Sequence, residues 1–332
     1  MKNHIYLWGL FLFLTAAFTS GFKEISHHDS NNSPSNEFEQ LLTFLEQERG
    51  FIHTSDAPAL IDASEVKKHL KDPSYYLIDI RSGSWFEYGH IKGAVNVAAN
   101  DLLNHFESAI DPSQYDKIIL ICYSGQSAAY FTSLLRISGY NNVYSMNWGM
   151  SSWRVDFAES SWLKNTSSNL ADNLETKENS KAVSGDYPTL QTNKESANDI
   201  LKARLNTAFS TPYKESIVKY SQAMETPENY YIIDYRALDN YKNSHLPGSV
   251  HYEAGKDLLS SAYLNTLPTD KTILVYGETG QETAYLVAYL DVLGYDAANL
   301  AYGANSFMHK NLKDNDGAAF SKKEVNMYPV IE

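Results

Sequence analysis

Cys122 is the residue in this chain whose type and surroundings best suit covalent chemistry. It opens the stretch Cys122-Tyr123-Ser124-Gly125-Gln126-Ser127-Ala128, between an apolar run and a helical pattern. Successive backbone N–H groups in such a loop can turn inward as a nest for an anion. The helix that follows adds the positive end of its dipole. Both favour thiolate over thiol, and the thiolate is the nucleophile. Tyr123, Ser124, Gly125, Gln126, Ser127 and Ala128 are therefore the candidates to hold a substrate through loop amides and hydroxyls. None of them is charged. The opposing reading is a buried structural cysteine, a common fate for an unpaired one. The position between strand, glycine and helix weighs against it. Because Cys122 is the only cysteine, an intrachain disulfide and a cysteine-built metal site are excluded.

Such chemistry needs a strand to deliver the sulfur and a helix to aim amides at it. Lys117 to Cys122 contains Ile118-Ile119-Leu120-Ile121, which reads as a strand buried on both faces. Ala128, Phe131, Leu134 and Leu135 lie at helical spacing and predict a helix over 127–138, stopped by Gly139. Strands are expected over 75–80 and 143–146, and a short helix over 100–107. Phe38, Leu41, Leu42 and Leu45 mark a short amphipathic helix over 37–49. This alternation predicts an α/β fold with a central parallel sheet flanked by helices. Ligands of such sheets sit at the carboxyl ends of strands.

Shifted by 155 residues, the sequence lines up with itself. Tyr76-Leu77-Ile78-Asp79-Ile80-Arg81 falls on Tyr231-Ile232-Ile233-Asp234-Tyr235-Arg236, and Gly89-His90-Ile91-Lys92-Gly93 falls on Ser244-His245-Leu246-Pro247-Gly248. Gly125, Gln126, Ala129 and Tyr130 recur as Gly280, Gln281, Ala284 and Tyr285. A period that long is the duplication of a whole domain. The cysteine position falls on Gly277, so the second copy lacks the nucleophile. His245 persists in that copy, which assigns His90 and His245 to structure. The same logic assigns the Asp79–Arg81 and Asp234–Arg236 pairs to buried polar contacts. Trp85, Phe86 and Tyr88 either line the mouth of the site or pack in the core. Ser124 and Ser127 either donate to bound sulfur or cap the helix.

These blocks together resemble a tandem rhodanese-like protein of the sulfurtransferase family. The marks in the first copy are Leu77 to Arg81, Gly89-His90-Ile91-Lys92-Gly93-Ala94-Val95-Asn96, the Cys122 loop, and Trp148-Gly149-Met150-Ser151-Ser152-Trp153. In the second they are Ile233 to Arg236, His245 to Val250, and the loop from Gly277 to Thr283. The resemblance covers about two thirds of the chain. It implies that Cys122 takes a sulfane sulfur from a donor as a persulfide and passes it to a thiophilic acceptor. Many active loops of the family carry a basic residue after the glycine, which is missing here. Thiosulfate is thereby disfavoured against a neutral persulfide or a polysulfide. Gly277→Cys is expected to restore some chemistry in the second copy.

The net charge of -13, with 27 basic against 40 acidic residues, argues against nucleic acid as a partner. No cofactor-binding or metal-binding motif occurs. Residues 1–21 read as a signal peptide: Lys2, then an apolar run too short to span a bilayer, which takes about 20 residues. Export to the periplasm is expected, or membrane anchoring if the signal is not cleaved. The remaining organisation is a spacer and short helix over 22–53, with the solvated pair His27-His28, and a cysteine-containing domain over 54–164. A polar linker over 165–200, an inactive domain over 201–315 and a tail over 316–332 follow. The expected function is exported sulfur transfer from thiosulfate or polysulfide to a thiol or a thioredoxin-like acceptor. The competing expectation is a non-catalytic binding or regulatory module. A phosphatase is disfavoured, because no arginine stands in the loop to clamp phosphoryl oxygens.

Overall fold

The computed structural model describes residues 36–170 and 173–332. The signal-peptide reading and residues 22–35 of the spacer read over 22–53 lie outside them. The first element among the described residues is helix α1 (Glu37–Glu48), capped by the Asn36 side chain and burying Phe38, Leu41, Leu42 and Leu45. The first sheet comprises β1 (Leu60–Ile61), β2 (Tyr75–Asp79), β3 (Val95–Asn96), β4 (Lys117–Ile121) and β5 (Val143–Met146). Its order is β1-β5-β4-β2-β3, and every pairing is parallel. Ile118 to Ile121 in β4 are fully buried, as a central strand covered on both faces requires. Helix α2 (Gln126–Ile137) follows the cysteine loop.

The short helix expected over 100–107 is instead three unlike turns. They are a 3-10 turn at Ala99–Asp101, an α turn at Leu102–Asn104 and a π turn at His105–Ala109. Leu102 and Phe106 are both driven into the core, and Pro112 ends any helical continuation.

The second half repeats the plan. Helix α3 (Ala197–Ser210) precedes β6 (Ile217–Val218), β7 (Tyr230–Asp234), β8 (Val250–His251), β9 (Thr272–Tyr276) and β10 (Ala297–Leu300). Sheet order is β6-β10-β9-β7-β8, again all parallel. Registers match position for position: Ile78 pairs with Leu120, and Ile233 with Val275. Helix α4 (Gln281–Leu293) occupies the place of α2. It is buried almost all round, because α2 of the other half covers the face a surface helix would give to water. One apolar cluster runs through both halves. Ser133 Oγ donates to the Tyr285 carbonyl at 2.8 Å, and the Tyr130 hydroxyl donates to Asp291 at 2.7 Å.

The halves also exchange straps. Beyond the first half, Glu175 pairs antiparallel with His245, and Leu190 packs into the core beside Gly294. Beyond the second half, Tyr328 N–H donates to the Trp153 carbonyl at 2.8 Å and Ile331 pairs antiparallel with His90. Phe320 is buried against Trp148 and Trp162. The described residues of the 165–200 stretch run without a long strand to the start of α3 at Ala197, tied to the second half at Glu175 and Leu190. The 316–332 stretch is a strap on the first half. No helix among the described residues is long and apolar enough to cross a membrane.

Candidate active site around Cys122

Cys122 sits one residue beyond the end of β4, where the chain turns into the loop leading to α2. Its Sγ accepts two backbone N–H groups, from Gly125 at 3.1 Å and from Ala128 at 3.3 Å. The first donor is aimed by the left-handed conformation of Gly125, with φ of 84°. A side chain there would meet the Gln281 carboxamide at 1.9 Å. Glycine is therefore needed twice over, for its φ and for the close approach. The turn after β5 closes the loop: Met150 N–H donates to the Cys122 carbonyl at 2.9 Å, and Ser151 Oγ to the Tyr123 carbonyl at 3.0 Å.

Cys122 is 1% exposed, so the thiol is both buried and met by amides. A cavity of about 350 Å³ borders the loop at Ser127. Ile80 and Phe131 of the first half line it, facing Phe209, Thr211 and Tyr213 of the second, and no lining residue is charged. Burial pushes the Tyr213 phenol up, its Asn299 hydrogen bond pulls the other way, and charge on Cys122 adds to the rise. The Tyr302 phenol is likewise raised, by burial first and also by Cys122. Two phenols of the second half thus lie within electrostatic reach of the sulfur. Nothing in the loop motif announced them, since they arrive through the packing of the halves.

The structure divides the loop candidates. Gly125 and Ala128 supply the amides to sulfur, and Ser127 faces the cavity. Tyr123 turns outward, where its hydroxyl accepts from Ser82 N–H and its ring meets Trp85 edge-on. Ser124 Oγ accepts from the Gln126 side chain, and neither serine side chain caps α2. Gln126 is withdrawn from any substrate: its Oε1 accepts the Tyr302 N–H at 2.7 Å, across the interface. Tyr88 packs edge-on against both Trp85 and Phe157, Trp85 lies tilted on Phe157, and Phe86 stacks on His90. His90 and His245 each hydrogen-bond a carbonyl four residues back, at 3.0 and 2.7 Å. Arg81 and Asp79 form a buried ion pair at 2.7 Å, repeated by Arg236 and Asp234 at 2.6 Å.

Residues 62–156 and 216–310 each match the family model of the rhodanese-like domain, together more than half of the chain. The chain belongs to the rhodanese-like family. A thiosulfate sulfurtransferase, GlpE, of Shewanella oneidensis is 36% identical over 93 residues, which are 28% of this chain and 89% of that protein. A tRNA uridine(34) hydroxylase of Erwinia tasmaniensis is 30% identical over 99 residues, 29% of this chain and only 28% of the hydroxylase. Among solved structures, a thiosulfate sulfurtransferase of Pseudomonas aeruginosa covers 90% of this chain and 48% of its own, at 14% identity and a TM-score of 0.28. At the level of the family, membership and the sulfurtransferase of Shewanella oneidensis support sulfur transfer.

The second rhodanese-like domain keeps the loop and fills it differently. Glu282 stands where Ser127 stands in the first domain, and its carboxylate folds back into the loop. It accepts the Thr279 N–H at 2.9 Å and a close bond from the Thr279 hydroxyl. A side chain on Gly277 would meet that carboxylate at 2.2 Å. The space a side chain at position 277 would need is thus taken by the Glu282 carboxylate, which Thr279 holds in the loop. A cysteine at Gly277 would first have to displace that carboxylate, the far end of a flexible side chain. The obstacle was visible in sequence only as a serine exchanged for a glutamate.

Proposed function

We propose that the protein is a sulfurtransferase that carries sulfane sulfur as a persulfide on Cys122. The observation that supports this most is the pair of amides on Sγ, from Gly125 and Ala128. The Cys122 thiolate attacks the outer sulfur of the donor. One S–S bond forms and one breaks, and the donor's remaining part leaves with the electron pair as a thiolate, or as sulfite from thiosulfate. The acceptor thiolate then attacks the outer sulfur of the Cys122 persulfide, becomes a persulfide itself and restores the Cys122 thiolate. Amides directed at sulfur stabilise the negative charge at both ends of the cycle.

The uncharged cavity and the net charge of -13 favour an uncharged organic polysulfide or the persulfide of an uncharged thiol over thiosulfate. With one cysteine in the chain, the sulfur must leave to an outside thiol, either a small molecule or a thioredoxin-like protein. We place this exchange outside the cytoplasm, on the strength of the apolar start of the sequence. Mass spectrometry of the protein after exposure to a sulfane-sulfur donor tests the reading. Cys122 should gain one sulfur atom, releasable by a dithiol, and Cys122→Ser should neither gain nor transfer it. An unmodified Cys122, or undiminished transfer by Cys122→Ser, would overturn it.

A further inference from the structure

Gln281 belongs to the second domain, yet its carboxamide is wedged into the cysteine loop of the first. Its Oε1 accepts the Trp148 N–H at 2.7 Å and its Nε2 donates to Asn147 Oδ1 at 3.0 Å. The same Oε1 lies 1.9 Å from where a Gly125 side chain would begin. Gln281 is fully buried, so these contacts have no competition from water. On one side of the carboxamide is Gly125, whose N–H points at Sγ. On the other is the Trp148–Gly149 turn. Trp148 has φ of 61°, the left-handed region that a residue with a side chain avoids. Gly149 has φ of 56° and packs so closely that a side chain on it would fall 2.5 Å from the Cys122 carbonyl. A backbone held in this way persists only where its surroundings over-determine it. A buried bond from the Trp148 N–H to Gln281 is such a determinant.

We infer that Gln281 is a positioning residue for the Cys122 site, holding the Gly125 amide and the Trp148–Gly149 turn in register with the sulfur from across the domain interface. The inference rests on Cys122 as the nucleophile. It gives the cysteine-free domain a direct part in the chemistry, through one side chain. The mirror contact supports it: Gln126 of the first domain accepts the Tyr302 N–H, and Tyr302 has φ of 63°. The same device thus props both loops, and only one of the loops carries a sulfur.

The test is the rate at which iodoacetamide alkylates Cys122 at neutral pH in the folded full-length protein. Gln281→Ala should slow it about tenfold, the effect of losing one well-aimed hydrogen bond to charged sulfur. Gln281→Met fills the same space without an acceptor and should slow it as much, with the fold kept. Ser133→Ala breaks a different bond of the same interface and should leave the rate within about twofold. Mere loosening of the interface would do the opposite, since the thiol of a residue that is 1% exposed labels faster when access improves. Unchanged or faster labelling in folded Gln281→Met, or equal slowing by Ser133→Ala, overturns the inference. Alkylation is read without any sulfur donor. A wild-type protein that takes up no sulfur would therefore defeat the proposed function while leaving the role of Gln281 standing or falling on the alkylation rates.

Discussion

Installing a cysteine in the second domain separates a missing nucleophile from an occupied cradle. In a Cys122→Ser background, Gly277→Cys places a Cβ 2.2 Å from the Glu282 carboxylate and forces it out. Leaving costs Glu282 its two bonds from Thr279. Hydrogen bonds to a charged group are worth about 1.5–3 kcal/mol each. Glu282 is half-buried and regains water on moving, so roughly half of that sum survives, about 1.5–3 kcal/mol of lost stability. The urea midpoint should fall by on the order of 1 M. Adding Glu282→Ser removes the clash and copies Ser127 of the first loop, with the Gly280 and Thr283 amides free to meet the sulfur as Gly125 and Ala128 do. The double variant should recover most of the midpoint. It should also label with iodoacetamide at least tenfold faster than the single variant, in keeping with amide-directed sulfur. A single variant as stable as its parent, and as reactive as the double, would show that Glu282 does not fill the cradle.

Burial pushes the Asp291 carboxyl up from 3.8 to about 7, although the Tyr130 and Ser216 hydroxyls and Arg204 pull it down. A raised acid contributes stability below its unfolded value and loses it as pH rises through the folded one. Urea stability should therefore decline from about pH 4 to above pH 7, by up to about 4 kcal/mol, and Asp291→Asn should flatten the decline; an unaltered profile in that variant would remove Asp291 as the cause. Deleting residues 197–332 strips α2 of its partner helix and should give insoluble protein, with small-molecule transfer lost. A soluble fragment that still transfers sulfur would refute the dependence of one half on the other. Ser127→Arg should raise thiosulfate turnover several-fold by adding a cation to an uncharged cavity wall, and turnover at or below wild type would count against the charge argument.

Much of the fold was legible because apolar runs and helical spacing report burial directly. Residues 143–146 form a strand at the bounds read from sequence, and 117–122 differs by one residue. The constant 155-residue offset carried the second sheet with the first. The straps were not legible. Leu190, Phe320 and Tyr328 lie in stretches with no helical or alternating apolar pattern, held by scattered side chains and backbone pairing that leave no period in the sequence. Of the site, the cysteine, the glycine and the helix start could be read locally. Tyr213, Tyr302 and Gln281 could not, because each reaches Cys122 from more than 90 residues away. The recurrence of Gln126 as Gln281 was a signal for the last of these, though nothing in it said that each glutamine serves the opposite loop.

The exchanged straps and crossed glutamines have the self-complementary pattern of an isologous interface, in which each patch occurs twice in reciprocal roles. Here both roles are carried on one polypeptide. In an assembly of two identical chains, any substitution appears in both sites at once, so a change that fills the cradle with a carboxylate removes every nucleophilic loop together. Joining the copies lifts that constraint. One half keeps its sulfur while the other trades it for Glu282, and the pairing of one reactive loop with one filled loop is fixed by covalent linkage at any concentration. The asymmetry between Cys122 and Gly277 is closed to two copies of one chain, and it leaves the second half free to specialise in holding the first.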